Sequence, residues 1–513
     1  MLRIETPVGI DLGTTHSAVA HLDDLDRPQT LINGEGDKLT PSVVLFDGTD
    51  TVVGKEALKA LATEAEQVAD CAKRALGNRM YPKVLGGRQY PPEAIQGWIL
   101  NKLRVDAQRQ IGQFHKVVIT VPAYFDEVRR KATQDAGYIA GFEVLDIINE
   151  PTAAAVAFGF QQGILGQGQG TSSQNILVYD LGGGTFDVTV MELCGNDFNT
   201  LSTDGDVQLG GRDWDQRLVD YVAEEFIRRF GTDPRDDPSG AGRLWRECED
   251  AKRTLSARSK ASIACDHQGQ ALRVEVTRAK FEQITRDLLD RTAFTTRQTL
   301  QAAGLEWSEI SRVLLVGGST RMPAVQHMLQ ELSGLEPDRS VSPDEAVAHG
   351  AALHAGLLLD LDEGRSPNFH VKNVNSHSLG VAASDVQTKR MRNAILIPRN
   401  TPLPVAAKRV FKTQKSSQQS ILVQIVEGES ASPEECSQIG KCSVRNLPPD
   451  LPAQTPVEVH FRYQENGRLV VTVNVIGKQL QHELHRENSL TSEQLNSWRK
   501  HVSGASPTAR DSQ

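Results

Sequence analysis

A chain of 513 residues, 39% hydrophobic and 24% charged, has the composition of ordinary globular domains and is too long for one core, so roughly two to four units are expected. A net charge of -9 with pI ≈ 5.9, and no long block of lysine and arginine, argue against nucleic acid as the main partner. Apolar runs such as 153–160 and 357–361 fall far short of the roughly 20 residues that span a bilayer, so no membrane segment is expected. No charged leader with an apolar stretch precedes Pro7-Val-Gly-Ile10. The six cysteines, at 71, 194, 248, 265, 436 and 442, form no C-x-x-C pair and no zinc-ligand spacing. Reduced thiols and a cytoplasmic location are the expectation.

The first element is the strand and turn Val8-Gly-Ile-Asp-Leu-Gly-Thr-Thr15, and a variant returns at Val178-Tyr-Asp-Leu-Gly-Gly-Gly-Thr-Phe-Asp187. In each, an apolar strand ends in an aspartate, a Gly/Thr turn follows, and a second apolar stretch returns. Glycines such as Gly13, Gly182, Gly183 and Gly184 let backbone N–H groups approach an anion, and Thr14, Thr15 and Thr185 add hydroxyl donors. Asp11 and Asp180 stand where a hydrated Mg²⁺ on phosphates would need oxygen ligands. Either copy alone would pass for an ordinary glycine hairpin; two copies point to a duplicated nucleotide fold.

Between and beyond them, strand candidates at 43–46, 116–121, 176–180, 188–193 and 312–316 alternate with helix candidates at 126–140, 214–230, 241–256 and 323–332, the signature of α/β layers. In the 214–230 helix, Leu218, Val219, Val222, Phe226 and Ile227 recur at helical spacing and leave Glu224, Glu225, Arg228 and Arg229 for solvent. The Gly-, Gln- and Ser-rich stretch 161–174 reads as a surface loop. After Asp360 the texture becomes polar and helical periodicity fades. Val457, Val459, Phe461 and Tyr463, then a turn at Asn466-Gly467, then Leu469, Val471, Val473 and Val475, predict a hairpin with one buried face. With further strands at 394–397, 408–413 and 420–427, this gives an all-β sandwich. The residues from about Arg486 read as a frayed polar tail with one short helix candidate at 491–501.

Five motifs in order, Gly9-Ile-Asp-Leu-Gly-Thr-Thr15, Val121-Pro-Ala-Tyr-Phe125, Ile148-Asn-Glu-Pro-Thr-Ala-Ala154, Asp180-Leu-Gly-Gly-Gly-Thr-Phe-Asp187 and Val316-Gly-Gly-Ser-Thr-Arg-Met-Pro323, make the chain resemble the heat shock protein 70 chaperones, the DnaK family, along nearly its whole length. The resemblance implies an α/β actin-like ATPase domain (duplicated RNase H-like, residues 1–362), a linker (363–377), a β-sandwich that grips extended apolar peptide segments (378–485), and a short tail (486–513). It implies ATP hydrolysis with Mg²⁺, held through water by Asp11 and Asp180. Lys73 matches the lysine that orients the attacking water and γ-phosphate, and Glu150, Thr185 and Asp187 match the groups beside it. Phosphoryl transfer to water needs such positioned charges more than covalent chemistry. Glu249, Lys252, Arg253 and Ser256 share one helix face by their spacing, and the resemblance makes that face an adenosine clamp. Gly210, Gly211, Gly317, Gly318, Ser319, Arg321 and Asp344 join the nucleotide set, and Val381, Phe411, Ile421 and Val423 the peptide pocket.

Unfolded polypeptide clients, a J-domain protein and a nucleotide-exchange factor are the partners so implied. Four departures qualify the match. Asp146 stands where an arginine that communicates with J-domain proteins and the linker is usual, so repulsion or reversed preference is expected there. In the linker run Phe369-His-Val-Lys-Asn-Val374, His370 and Lys372 replace leucines, a loss of about 1.5–3 kcal/mol each if fully buried. His16 replaces the more usual Asn or Tyr, and no full helical lid is expected after the sandwich. A small-molecule kinase on the same scaffold and a nucleotide-responsive scaffold of little turnover are the competing functions.

Overall fold

The computed structural model describes residues 5–48, 50–165, 173–385, 388–445, 447–464, 469–476, 478–482 and 489–504. Two sheets repeat one plan. In the first, Val8–Asp11, His16–Leu22 and Pro28–Thr30 run antiparallel, and Lys116–Val121 and Glu143–Asn149 add in parallel on the Val8–Asp11 side. In the second, Gln174–Leu181, Phe186–Cys194 and Asp197–Asp206 run antiparallel, and Ile310–Val316 pairs in parallel with Gln174–Leu181. Both glycine turns therefore connect the first two strands of their sheets. The 214–230 helix extends over Gly211–Phe230 and buries Leu218, Val219, Val222 and Phe226 as its spacing predicts. Among the described residues, no helix is long and apolar enough to cross a membrane.

Two helices that periodicity did not reveal, Glu150–Gln161 and Ala346–Asp362, lie between the sheets. They are alanine-rich and apolar nearly all round, because both sides of each are covered. Their axes approach so closely that a Cβ on Gly350 would lie 1.8 Å from the Ala153 carbonyl oxygen. Asp146 faces this layer and not a linker carboxylate: its Oδ2 bonds His354 Nε2 at 2.9 Å. Among the described residues, the hydrogen-bond partner of Asp146 is thus a histidine and not a carboxylate.

His370–Lys372 forms a parallel edge strand on Asp197–Asp206, with Val371 opposite Phe198. Strand alternation turns Phe369 and Val371 inward, where Phe369 meets the Phe198 ring at 6.0 Å, and turns His370 and Lys372 to solvent. The expected loss of apolar contact is corrected by this register, since neither polar residue occupies a buried position.

The sandwich packs Met391–Ile397, Leu379–Ser384, Ile421–Glu427 and Ser437–Val444 against Val405–Lys412, Pro456–Tyr463, Leu469–Val475 and Lys478–His482. The alternating residues 457–463 and 469–475 are buried in its core as the hairpin pattern requires, while the Asn466-Gly467 turn lies outside the described residues, as does half of the 161–174 loop. The tail carries the short helix expected at 491–501, but that helix is docked and not frayed. Ser492–Ser503 is a helix, capped by Thr491 and Gln494, and it docks on the first lobe. Trp498 lies 5.9 Å from both Trp98 and Tyr90, under the Arg88 guanidinium, and Asn101 donates to the Val502 carbonyl at 3.1 Å. Each aromatic pair adds about 0.5–1.5 kcal/mol beyond area burial, enough to hold a short helix that would fray alone.

The sandwich also touches the start of the Glu127–Ile139 helix. Glu127 N donates to Glu427 Oε2 at 2.9 Å, His377 Nε2 meets the Tyr124 carbonyl at 3.0 Å, and Arg399 pairs with Asp204 at 2.8 Å. Burial, then Asp126 and Glu127, push the Glu427 carboxyl up to about 8 from the ordinary 4.5, against His377, which lowers it. Burial opposes charge on His377, yet Glu429, Glu427 and the Tyr124 carbonyl outweigh it and raise its pKa. Both groups are thus easier to protonate docked than free. Docking is expected to be fullest below the ordinary glutamate pKa and to weaken as pH rises through about 8. X-ray scattering should show a larger radius of gyration at high than at mildly acid pH, and Glu427→Gln should flatten the change; an opposite trend refutes the assignment.

Candidate nucleotide site

The two glycine turns meet face to face across a cleft between the lobes. A Cβ on Gly183 would lie 2.3 Å from Thr15 Oγ1, and one on Gly184 2.2 Å from Thr14 Cγ2, so the threonines of one turn occupy the space that the glycines of the other leave. Those glycines serve the approach of protein to protein first, which amends the reading that an anion alone demands them. Gly182, by contrast, meets nothing closer than 3.6 Å. The turn carbonyls are occupied inside the protein: Gly13 accepts from Ser42, Gly182 from Gly211 N and Ser319, Gly183 from Arg212 N, and Gly184 from Arg74. Two turn amides are likewise used inside the protein, Gly13 N donating to Ser17 Oγ at 3.2 Å and Gly182 N to the Thr185 carbonyl at 3.0 Å.

Lys73 sits on a short helical turn, Ala72–Ala75, and its side chain is only 1% exposed. Its Nζ is 2.6 Å from Glu150 Oε1. Glu150 opens the Glu150–Gln161 helix, so both readings of it coexist: an N-terminal carboxylate favoured by the helix dipole and a partner of the lysine. Asp11, Asp180 and Asp187 complete an acidic group around this one ammonium. Burial, followed by Glu150, pushes the Asp11 carboxyl up to about 7 and Asp187 up to about 8; Asp180 is driven well above its ordinary value by burial, Glu150, Asp187 and Asp11. Asp187 Oδ1 accepts from Tyr124 N at 3.0 Å, while its buried Oδ2 has no hydrogen-bond partner. Carboxylates held in such proximity call for further positive charge. Among the described residues, no three His, Cys, Asp or Glu stand together as direct metal ligands.

One cavity of about 440 Å³, within the usual range for small-molecule clefts, runs from this group to the Pro238–Ala257 helix. Asp11, Gly13, Thr14, Thr15, Lys73, Glu150, Asp180, Gly182, Gly183 and Thr185 line one end, and Glu249, Lys252, Arg253, Ser256, Gly317, Gly318, Ser319, Arg321 and Asp344 the other. Of the nucleotide set, Asp187, Gly184, Gly210 and Gly211 are not on its wall. A Cβ on Gly210 would lie 2.5 Å from Gly184 N and one on Gly211 2.3 Å from Ser319 Oγ, so both are packing glycines behind the turn. A Cβ on Gly317, at φ +81, would lie 2.5 Å from the Leu181 carbonyl oxygen, which leaves Gly318 as the open one of its pair. Lys252 is held by Asp215 at 2.7 Å and by the Gly211 carbonyl, Arg253 by Glu249 at 2.6 Å, and Arg321 by Asp344 at 2.6 Å.

The cavity also has walls that the sequence did not single out, Arg212, Asp215, Met322 and Pro343, and it takes in the departing residue His16, whose pKa is lowered first by burial and then by Arg253. The signal for the first two was Gly210-Gly211-Arg-Asp-Trp-Asp215, charges placed directly after a glycine pair that opens a helix. In the sandwich, Val381, Ile421 and Val423 are 4%, 8% and 4% exposed and belong to the core, with Phe411 packed against it.

The Hsp70 protein family model matches residues 7–503. Chaperone protein DnaK of Halobacterium salinarum is 41% identical over 471 residues, covering 90% of this chain and 72% of that protein. Chaperone protein DnaK of Thermus thermophilus is 39% identical over 521 residues, covering 95% of this chain and 82% of that protein. With ordered motifs, a paired-turn cleft and relatives matched over most of both lengths, the chain belongs to the Hsp70 family.

Proposed function

We propose that this protein is an ATP-dependent molecular chaperone, whose two sheet-centred lobes form an actin-like, duplicated RNase H-like ATPase and whose β-sandwich, from about residue 378, takes extended apolar segments of unfolded proteins. The observation that carries the reading is the buried Lys73–Glu150 pair, 2.6 Å long, set among three further carboxylates between two glycine turns. In this reading the turns Gly13–Thr15 and Gly182–Thr185 take the phosphates, and the Glu249–Ser256 helix face with Gly318, Ser319, Arg321 and Asp344 takes the adenosine. Asp11 and Asp180 would hold Mg²⁺ through its waters, and that cation would offset phosphate charge when bound. Lys73 lends positive charge at the terminal phosphate, Glu150 fixes the position of its Nζ, and Asp187 and Thr185 border the water's approach. Clients would be unfolded polypeptides, co-chaperones would act on the ATPase domain, and the cytoplasm would be the working compartment.

The test is hydrolysis with Mg²⁺ and with excess chelator. Turnover should fall by at least roughly 100-fold when the metal is removed, as expected for loss of a main electrostatic group. Turnover that is indifferent to chelation would overturn the reading.

A further inference from the structure

Two ion pairs cross the cleft on either side of Lys73. Three residues before it, Asp70 ends the Val68–Asp70 strand of the first lobe and its Oδ2 meets the Arg212 guanidinium. One residue after it, Arg74 reaches Asp213 Oδ2 at 2.5 Å and the Gly184 carbonyl at 2.7 Å. Arg212 and Asp213 lie in the first turn of the Gly211–Phe230 helix of the second lobe. Arg212 also lies over the Trp245 ring, 4.2 Å from its centroid, and its 25% exposed side chain forms part of the nucleotide cavity wall.

The turn between these anchors needs them. Cys71, just before it, adopts φ +52, a left-handed conformation costly for a residue with a Cβ, and only a short run of helical turn follows. A turn so made holds Lys73 in register only while both its flanks are fixed. Asp70 is buried, and Arg212 does most to hold its carboxyl below the ordinary range; Lys83 of the same lobe adds a weaker contact at 3.2 Å, and Tyr81 donates to its carbonyl at 2.7 Å. The stronger charge partner of this buried aspartate thus comes from across the cleft.

We infer that Arg212 is a positioning residue which, clamped between Asp70 and Trp245, latches the Lys73-bearing turn to the second lobe and thereby sets how fast the nucleoside diphosphate leaves. The inference rests on the nucleotide reading of the cleft. Opening the cleft far enough for release pulls Asp70 away from Arg212, so the latch must part first. While it is closed, Lys73 stays aimed between the glycine turns.

The test measures release of a fluorescent ADP analogue and single-turnover ATP hydrolysis in the full chain, for wild type, Arg212→Ala, Arg212→Lys, Asp70→Asn and the Arg212→Ala/Asp70→Asn double variant. Release should quicken by roughly tenfold in each single alanine or asparagine variant, as expected for loss of one hydrogen bond between charged groups, and hydrolysis should slow. Arg212→Lys keeps the charge but loses the flat contact with Trp245, and should fall between them and wild type. The double variant should be no faster than the faster single one, because the same tie is cut twice. Release within about twofold of wild type for Arg212→Ala, or effects that multiply in the double variant, would overturn the latch. If wild type binds and hydrolyses nucleotide while Arg212→Ala releases it at the same rate, the latch alone is lost; if wild type binds no ADP, the cleft reading falls and takes the latch with it.

Discussion

Lys73→Ala is expected to lower single-turnover ATP hydrolysis by roughly 10²–10³-fold, the usual cost of deleting one positioned electrostatic group, while the nucleotide still binds. The residue contributes nothing to surface charge, being only 1% exposed, and its Nζ is committed to Glu150. Removing it leaves Glu150 facing Asp11, Asp180 and Asp187 with no ammonium among them. The apo protein should therefore also melt at a lower temperature, and Mg²⁺ with nucleotide should restore part of the loss by binding only the folded form. Quench-flow hydrolysis and thermal melts read the two effects separately. A variant that turns over at the wild-type rate would remove Lys73 from the chemistry.

Gly184→Val should cost roughly 30–150-fold in ADP affinity, corresponding to about 2–3 kcal/mol of overpacking at a site with no room to give. The added Cβ would sit 2.2 Å from Thr14 Cγ2 and 2.7 Å from Thr14 Cβ, at the root of a buried side chain that cannot swing away. The two turns would be forced apart. A Gly87→Val variant is a control, because a Cβ there meets nothing within 4 Å, although its φ of +77 adds local strain. Calorimetric titration with ADP distinguishes the two: equal affinity in Gly184→Val would mean that the turns do not need to touch.

What could be read from the sequence follows from how locally each feature is encoded. The glycine turns carry their aspartates and threonines within ten residues, so their chemistry was visible without a fold. Lys73 was not: a lone lysine is ordinarily a solvated one, and only the resemblance set it apart. Arg212 and Asp70 are distant in the chain, and nothing near either residue announces the other. The Glu150–Gln161 and Ala346–Asp362 helices escaped a search for amphipathic periodicity because packing covers them on both sides. In the linker, counting polar replacements misled where counting alternate positions would have placed His370 and Lys372 outside. Leu495, Trp498 and Val502 formed an apolar stripe in the supposed tail, but its receiving surface, Tyr90 and Trp98, came from a helix and loop that the periodicity had not brought together.

Coupling between the ATPase cleft and the sandwich is the claim on which the chaperone account turns, and it is tested most directly by steady-state ATP hydrolysis with and without a saturating extended apolar peptide. The account predicts that peptide raises turnover in wild type and that Lys73→Ala abolishes both the basal and the stimulated rate. A basal rate that depends on Lys73 but does not respond to any such peptide would contradict it.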